Sequence, residues 1–97
     1  MTVYVDRASR PLGRMVMCHM VADTLAELHT EAAALGCRKE WFQDGRHPHY
    51  DLPQFRRRHA VQRGAVQVTS EALVQICRLR RADWATERVA LCGTSTT

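Results

Sequence analysis

An apolar run of eight residues, Met15–Ala22 (MVMCHMVA), limits the possible folds of this chain more than any other feature, and only His19 interrupts it. A short stretch that is apolar at both odd and even positions is typical of a β-strand covered on both faces. We therefore predict a central strand over residues 15–22, ended by Asp23. The chain has 97 residues, which suits one domain built around such a strand.

The segment after this strand predicts a helix with defined ends. Thr24 and Glu27 have the spacing of a capping box, in which each side chain bonds to the backbone of the other residue. Apolar residues follow at helical spacing: Leu25, Leu28, Ala32 and Leu35. Gly36 suits the left-handed residue that ends many helices.

The rest of the chain continues the alternation of strands and helices. We predict short strands over residues 2–6, 40–43 and 65–68, and helices over 53–62 and 70–81, the last with a frayed continuation. This order predicts an α/β fold: a single small domain with a mixed or mostly parallel sheet of about four strands flanked by three helices.

We expect one domain over residues 1–90 and a disordered tail over 91–97.

Several classes of protein are excluded by the sequence. No apolar run approaches the roughly 20 residues of a membrane span, and the acidic MTVYVD start is unlike a signal peptide. We therefore expect a cytoplasmic protein with reduced cysteines and no membrane partner. The four cysteines lack the close pairs of a zinc finger.

Basic residues are concentrated in the second half of the chain. Residues 52–97 hold eight arginines and three acids, whereas residues 1–51 hold six basic and seven acidic residues. Arginine binds phosphate through two points, so an anion or nucleic-acid site is one interpretation, and a biased amino-acid composition is the other. The candidate residues for such contact are Arg56, Arg57, Arg58, Arg63 and Arg80.

Histidines and acids flank the predicted strand ends. In open α/β sheets, sites form beyond the carboxyl ends of strands, so His19, Asp23, His49 and Asp51 are expected at one sheet edge. With His29, these residues are the candidate ligands of a divalent metal, for which imidazole and carboxylate are suitable donors. The candidate catalytic residues are His19, His49 and Asp51, as metal ligands or in acid–base chemistry.

Structural explanations remain open for these residues. His19 on an apolar strand also fits a hydrogen-bonded core histidine, Asp23 a turn residue and Asp51 a residue at a helix entrance. Cys18 and His19 would point to opposite faces of the strand, which disfavours a Cys–His pair.

Several short motifs resemble those of DUF4031, a small bacterial and phage family of unknown function. They are Val5-Asp6, the CHMVADT segment at 18–24, ELH at 27–29, HYD at 49–51 and the run at 57–68, which together span about residues 1–80. The resemblance implies a shared fold and singles out the five histidines and acids named above, but it implies no activity. It also implies that serine can replace Cys18, which weakens a nucleophilic role for that thiol.

Two functions from different classes are therefore expected. The first is a metal-assisted or acid–base hydrolase acting on a phosphate-bearing or other small polar substrate, with Arg57 or Arg58 holding the anion. The alternative is a small basic module that contacts nucleic acid or a host protein without catalysis. A homodimer or inhibitor with no chemistry of its own is a further interpretation.

Overall fold

The computed structural model describes residues 2–7, 10–12 and 15–93. It contains a mixed sheet with five strands in the described residues, which are β1 (Val3–Val5), β2 (Arg10–Leu12), β3 (Met15–Ala22), β4 (Tyr50–Pro53) and β5 (Val66–Gln67). Three α-helices accompany it: α1 (Leu25–Ala34), α2 (Gln54–Gln62) and α3 (Ser70–Gly93). A short 3-10 helix covers Lys39–Trp41.

Strand β3 is the centre of the sheet. It pairs with β1, β2 and β4, antiparallel in each case, and β5 pairs parallel to β1. The prediction of a small α/β domain with a mixed sheet and three helices is confirmed. The parallel pairing that the alternating pattern favoured is limited to β1 and β5, because the chain returns from α1 in the opposite direction to form β4.

The core explains why β3 is apolar on both faces. Cys18, Met20 and Ala22 pack in one cluster with residues of α1, α2 and β4. Val21 packs on the other side, in a cluster that includes Trp84 of α3. The sheet is therefore covered by α1 and α2 on one face and by α3 on the other.

Helix α1 has the predicted ends. The Thr24 side chain accepts a hydrogen bond from the Glu27 amide at 3.1 Å. Gly36 has a φ of 81°, a conformation in which a side chain would be strained. The helix thus begins and ends where the capping pattern indicates.

Three local predictions differ from the structure. Residues 40–43 hold the end of a 3-10 helix rather than a strand. Residues 44–52, which lie between the predicted strand at 40–43 and the predicted helix at 53–62, contain most of β4, in which Tyr50 and Leu52 are buried in the core. Helix α3 continues without a break to Gly93, because Trp84 is buried beneath it, and the rest of the expected tail, 94–97, lies outside the described residues.

Within the part of the chain that the structure describes, no helix combines the length and the apolar character needed to cross a membrane.

Candidate metal centre

Two antiparallel strands bring a histidine and a carboxylate together. His19 on β3 is the direct register partner of Asp51 on β4, and such partners lie on the same face of a sheet. The His19 Nε2 is 3.9 Å from the Asp51 Oδ1. His49, two residues before Asp51, places its Nε2 3.3 Å from the same oxygen. The two imidazole rings are 5.2 Å apart and nearly perpendicular.

Both imidazoles are oriented through their Nδ1 atoms. The His19 Nδ1 is 2.8 Å from the Asp6 Oδ2, and the His49 Nδ1 is 2.6 Å from the backbone oxygen of His47. Carboxylate and carbonyl oxygens accept hydrogen bonds, so each Nδ1 carries a hydrogen. Both Nε2 atoms face the Asp51 carboxylate, and in the neutral form of each ring this atom carries the lone pair that a metal ion can accept.

Asp6 is a buried support for this group. Its side chain is only 1% exposed, and its Oδ1 also accepts the His19 amide at 2.8 Å. The Ser70 hydroxyl lies 3.4 Å from its Oδ2, and the Arg57 Nε donates to its backbone oxygen at 2.9 Å. A carboxylate behind a ligating histidine fixes the ring and raises its basicity. The sequence places Asp6 at the end of the first predicted strand. Its role toward His19 could not be predicted, because the sequence does not show that β1 pairs with β3.

Asp51 is held at its second oxygen. The Gln43 Nε2 donates to the Asp51 Oδ2 at 2.6 Å, which leaves Oδ1 directed toward the histidines. The side chains of His19, His49 and Asp51 are 22%, 21% and 35% exposed, so solvent reaches a group whose ligands are positioned by hydrogen bonds.

The dimensions of the group match a divalent ion. One ligand atom from each of His19, His49 and Asp51 lies within 4.8 Å of the others. Bonds of about 2.0–2.2 Å give a tetrahedral zinc site edges of about 3.4 Å. The 3.3 Å between the His49 Nε2 and the Asp51 Oδ1 matches this length, whereas the His19 Nε2, at 3.9 Å, lies farther away and would have to move closer. Three protein ligands with an open fourth position are the pattern of catalytic rather than structural zinc.

Two cavities lie beside the group. The first, here the histidine cavity, has a volume of about 370 Å³ and is lined by His19, His47, His49 and Asp6, together with residues of α3. The second, here the aromatic cavity, has a volume of about 510 Å³ and is lined by Trp41, Phe55, Arg56, Glu40, Gln43 and Asp51. The candidate ligands thus border two spaces in which a small molecule fits.

His47 lines the histidine cavity and has a buried ring nitrogen. Its Nδ1 is shielded from solvent and finds no hydrogen-bond partner among the described residues. Burial lowers the pKa of His47, and the charges of Arg81, Arg46 and Arg78 lower it further. These three arginines therefore act on this end of the cavity, although the sequence pattern had favoured others.

The structure does not bring Asp23 or His29 into the group, contrary to the expected clustering. Asp23 accepts the Tyr4 hydroxyl at 3.0 Å and pairs with the Arg80 Nε at 3.2 Å. The His29 Nδ1 is 2.8 Å from the Tyr50 hydroxyl, and its ring packs on a phenylalanine. Asp23 connects β1 to α3, and His29 points from α1 into the core side of β4.

Four of the five candidate anion-binding arginines make contacts within the chain. Arg56 donates to the Leu35 backbone oxygen, and Arg57 is bonded to the Asp6 backbone as described above. Arg63 pairs with Glu31 at 3.0 Å, and Arg80 pairs with Asp23. Arg58 is exposed on α2. Arg56 and Arg57 thus hold α2 against its neighbours, and these two arginines are among those that had suggested a phosphate-binding surface.

Cys18 has the properties of a core residue. It is buried in the cluster beneath the sheet, and burial raises the pKa of its thiol to about 11. A thiol in that state is protonated at neutral pH and is a poor nucleophile.

Comparison with known proteins places the chain in a family. The model of a family described as "Protein of unknown function (DUF4031)" matches residues 3–80, a segment that includes Asp6, His19, His49 and Asp51. No curated protein and no solved structure matches the chain. The match covers most of the sequence, and the protein therefore belongs to DUF4031.

Proposed function

We propose that the protein is a metal-assisted hydrolase in which His19, His49 and Asp51 bind one divalent ion, and that its substrate bears a phosphate group. One observation carries the proposal. Two imidazoles, each fixed through Nδ1, direct their Nε2 atoms at a single carboxylate oxygen.

A cation explains this arrangement better than a proton. When both rings are neutral, the two Nε2 atoms and the carboxylate oxygen are three converging acceptors, which repel one another unless positive charge lies between them. One proton can join only two of them, and 3.9 Å between the His19 Nε2 and the Asp51 Oδ1 is too long for a hydrogen bond. A metal ion can bond to all three atoms at once, and Asp6 would then fix the orientation of the His19 ring and raise its basicity.

The chemistry follows from the open coordination position. A divalent metal held by His19, His49 and Asp51 would lower the pKa of a coordinated water to about 7 and so supply a nucleophile at neutral pH. Its attack on a phosphate ester would break the P–O bond to the leaving group, and the departing alkoxide would take up a proton from water. The three proposed ligands are partly exposed, so both water and substrate can approach them.

The choice of a phosphate-bearing substrate is supported by one face of α3. Val74 lines the histidine cavity, and Arg78 and Arg81 follow it by four and seven residues. Residues at this spacing share a helix face, and the positive charges of both arginines act on His47, which lines the cavity. Their charge favours an anionic group beside the metal ligands.

Metal content and zinc titration test the proposal. We expect the purified protein, stripped with a chelator and titrated with zinc in a calorimeter, to bind one ion per chain. His49→Ala and Asp51→Asn should each weaken binding by at least tenfold, since each removes one of three ligands. His59→Ala is the matched control, because His59 is exposed on α2, and it should bind zinc like the wild type.

Hydrolysis of p-nitrophenyl phosphate and its diester provides the second measurement. Activity that is lost with the chelator, restored by zinc or manganese, and absent in His49→Ala supports the proposal. Activity that survives chelation would instead favour acid–base chemistry by the same residues. Wild-type protein that binds no metal, or binds it as tightly without His49, contradicts the proposal.

A further inference from the structure

The aromatic cavity combines a patch of exposed ring side chains with access to the candidate metal ligands. Trp41 and Phe55 are 44% and 56% exposed, and both lie against Arg56, so they form one contiguous patch rather than isolated exposed residues. Both line the cavity of about 510 Å³. This volume lies within the range of small-molecule sites, which is about 300–1,000 Å³.

A fixed guanidinium group connects the two rings. The Arg56 Cζ lies 5.6 Å from the centre of the Trp41 ring and 4.9 Å from that of Phe55. The Arg56 Nη1 donates to the Leu35 backbone oxygen, which anchors the group at the end of α1. The wall of the cavity is therefore built from flat groups, and flat π surfaces stack on a planar ring.

Polar atoms line the cavity opposite these flat groups. Glu40, Gln43 and Asp51 belong to its lining, and the Gln43 Nε2 is bonded to the Asp51 Oδ2. The other oxygen of Asp51 faces His19 and His49. A ligand in this cavity thus meets hydrogen-bonding groups at its edge and lies next to the candidate metal ligands.

We propose that the aromatic cavity binds the heteroaromatic base of a nucleotide, whose phosphate extends past Asp51 toward the histidines. The position of the phosphate rests on the proposed function, whereas binding of the base rests on the cavity alone. A nucleobase supplies the planar face for Trp41 and Phe55 and the ring donors for Glu40 and Gln43. An aliphatic phosphate has neither.

Tryptophan fluorescence measures base binding directly. The chain has two tryptophans, and Trp84 is buried, so Trp41 is the one that a ligand can reach. We expect adenosine monophosphate to quench the emission to saturation, with or without chelator. Ribose 5-phosphate, which has the same phosphate but no base, should leave it unchanged. Free tryptophan amide, titrated in parallel, corrects for absorption by the nucleotide.

Substitutions at Phe55 separate stacking from simple apolar contact. Phe55→Leu should weaken binding of adenosine monophosphate about fivefold or more, because a stacked base loses its π partner. Phe55→Tyr retains the ring and should bind like the wild type. Leu79→Ala, at an exposed apolar residue of α3, is the control and should change nothing. Circular dichroism confirms that each variant is folded.

Two ligands distinguish the source of the base. Saturable quenching by the mononucleotide assigns the cavity to free nucleotides. Quenching by a short single-stranded oligonucleotide alone assigns it to a nucleotide within a strand. Either result supports a base-binding cavity.

Equal responses to adenosine monophosphate and ribose 5-phosphate, no saturable quenching by either base-containing ligand, or unchanged binding in Phe55→Leu would overturn the inference. Because these titrations include chelated protein, failure of the metal proposal leaves them unaffected. Conversely, zinc binding without base binding overturns this inference alone.

Discussion

At the scale of single residues, Asp6 fixes the orientation of His19, one of the three proposed metal ligands. Its buried carboxylate accepts from both the ring and the amide of His19, so it fixes the ring and its tautomer together. We predict that Asp6→Asn weakens zinc binding about 10–100-fold, because an amide no longer supplies negative charge behind the ring. Calorimetric titration with zinc measures the change.

A matched substitution shows whether the effect is specific to the site. Asp23→Asn removes a carboxylate from a different partly buried network and should leave zinc affinity unchanged. Equal affinities for Asp6→Asn and the wild type would show that Asp6 supports only the fold.

Two buried thiols give a prediction about pH. Burial raises the pKa of Cys18 and of Cys77 to about 11. The folded protein therefore holds these protons more tightly than the unfolded chain, so stability from this source is complete below pH 9 and declines as the pH rises toward 11. We expect alkylation of both thiols to stay slow in the folded chain at pH 9 and to become fast in urea. Peptide mapping by mass spectrometry locates the modified residues, and rapid labelling of folded Cys18 would contradict the burial described above.

At the scale of secondary-structure elements, α3 contributes more than its sequence indicates. The Glu87 carboxylate accepts the amides of Leu25 and Ala26 at 2.6 and 2.9 Å, and so caps the start of α1 from a distant helix. The Trp84 Nε1 donates to the backbone oxygen of Ala22 at the end of β3. The second half of α3 therefore holds the junction of β3 and α1.

Removal of this distant cap should be measurable. We predict that Glu87→Ala lowers the free energy of unfolding by about 1–2 kcal/mol, since two helix amides lose their acceptor. Urea unfolding measures the difference. Thr86→Ala, one residue away and exposed, is the comparison. A loss in Thr86→Ala as large as that in Glu87→Ala would contradict a specific cap.

The elements that could be predicted from sequence are those with a strong local signal. The apolar run predicted β3, and the capping box predicted α1, because each depends on residues near one another in the chain. Strand β4 lacks such a signal, because it has only four residues and follows a His-Pro-His segment. Its alternation of buried and less buried residues, with Tyr50 and Leu52 in the core, is seen only in the structure. The continuation of α3 was underestimated because the contacts that hold its second half in place are with residues about 60 positions away in the chain.

The grouping of His19, His49 and Asp51 was predicted, but for an incomplete reason. The sequence suggested residues gathered beyond the ends of strands, whereas His19 and Asp51 are paired across two neighbouring strands. Asp23 follows the strand as the pattern required, yet a tyrosine and an arginine bind it. No local pattern distinguishes these outcomes, since both depend on strand register.

At the scale of the whole molecule, the folding unit extends past the family match. That match ends at residue 80, but Trp84 is buried in one of the two core clusters. Loss of a buried tryptophan costs about 3–5 kcal/mol, a large part of the roughly 5–15 kcal/mol that stabilises a typical domain.

We therefore predict that the chain shortened to residues 1–82 fails to show a cooperative thermal transition. A chain that ends at residue 93 retains every contact described here and should melt like the full protein. Circular dichroism during heating compares the two. A cooperative transition in the shorter chain would contradict this prediction, because it would show that the domain folds without the second half of α3.

The register of β3 against β4 has a consequence for ion capture. Backbone hydrogen bonds between the strands hold His19 opposite Asp51 before any ion arrives, and a slip of one residue would turn Asp51 toward the opposite face. Folding alone therefore brings the side chains of the proposed coordination shell together, before an ion binds. Uptake should proceed at the pace at which the hydrated ion exchanges its water, in a single phase whose rate rises in proportion to ion concentration.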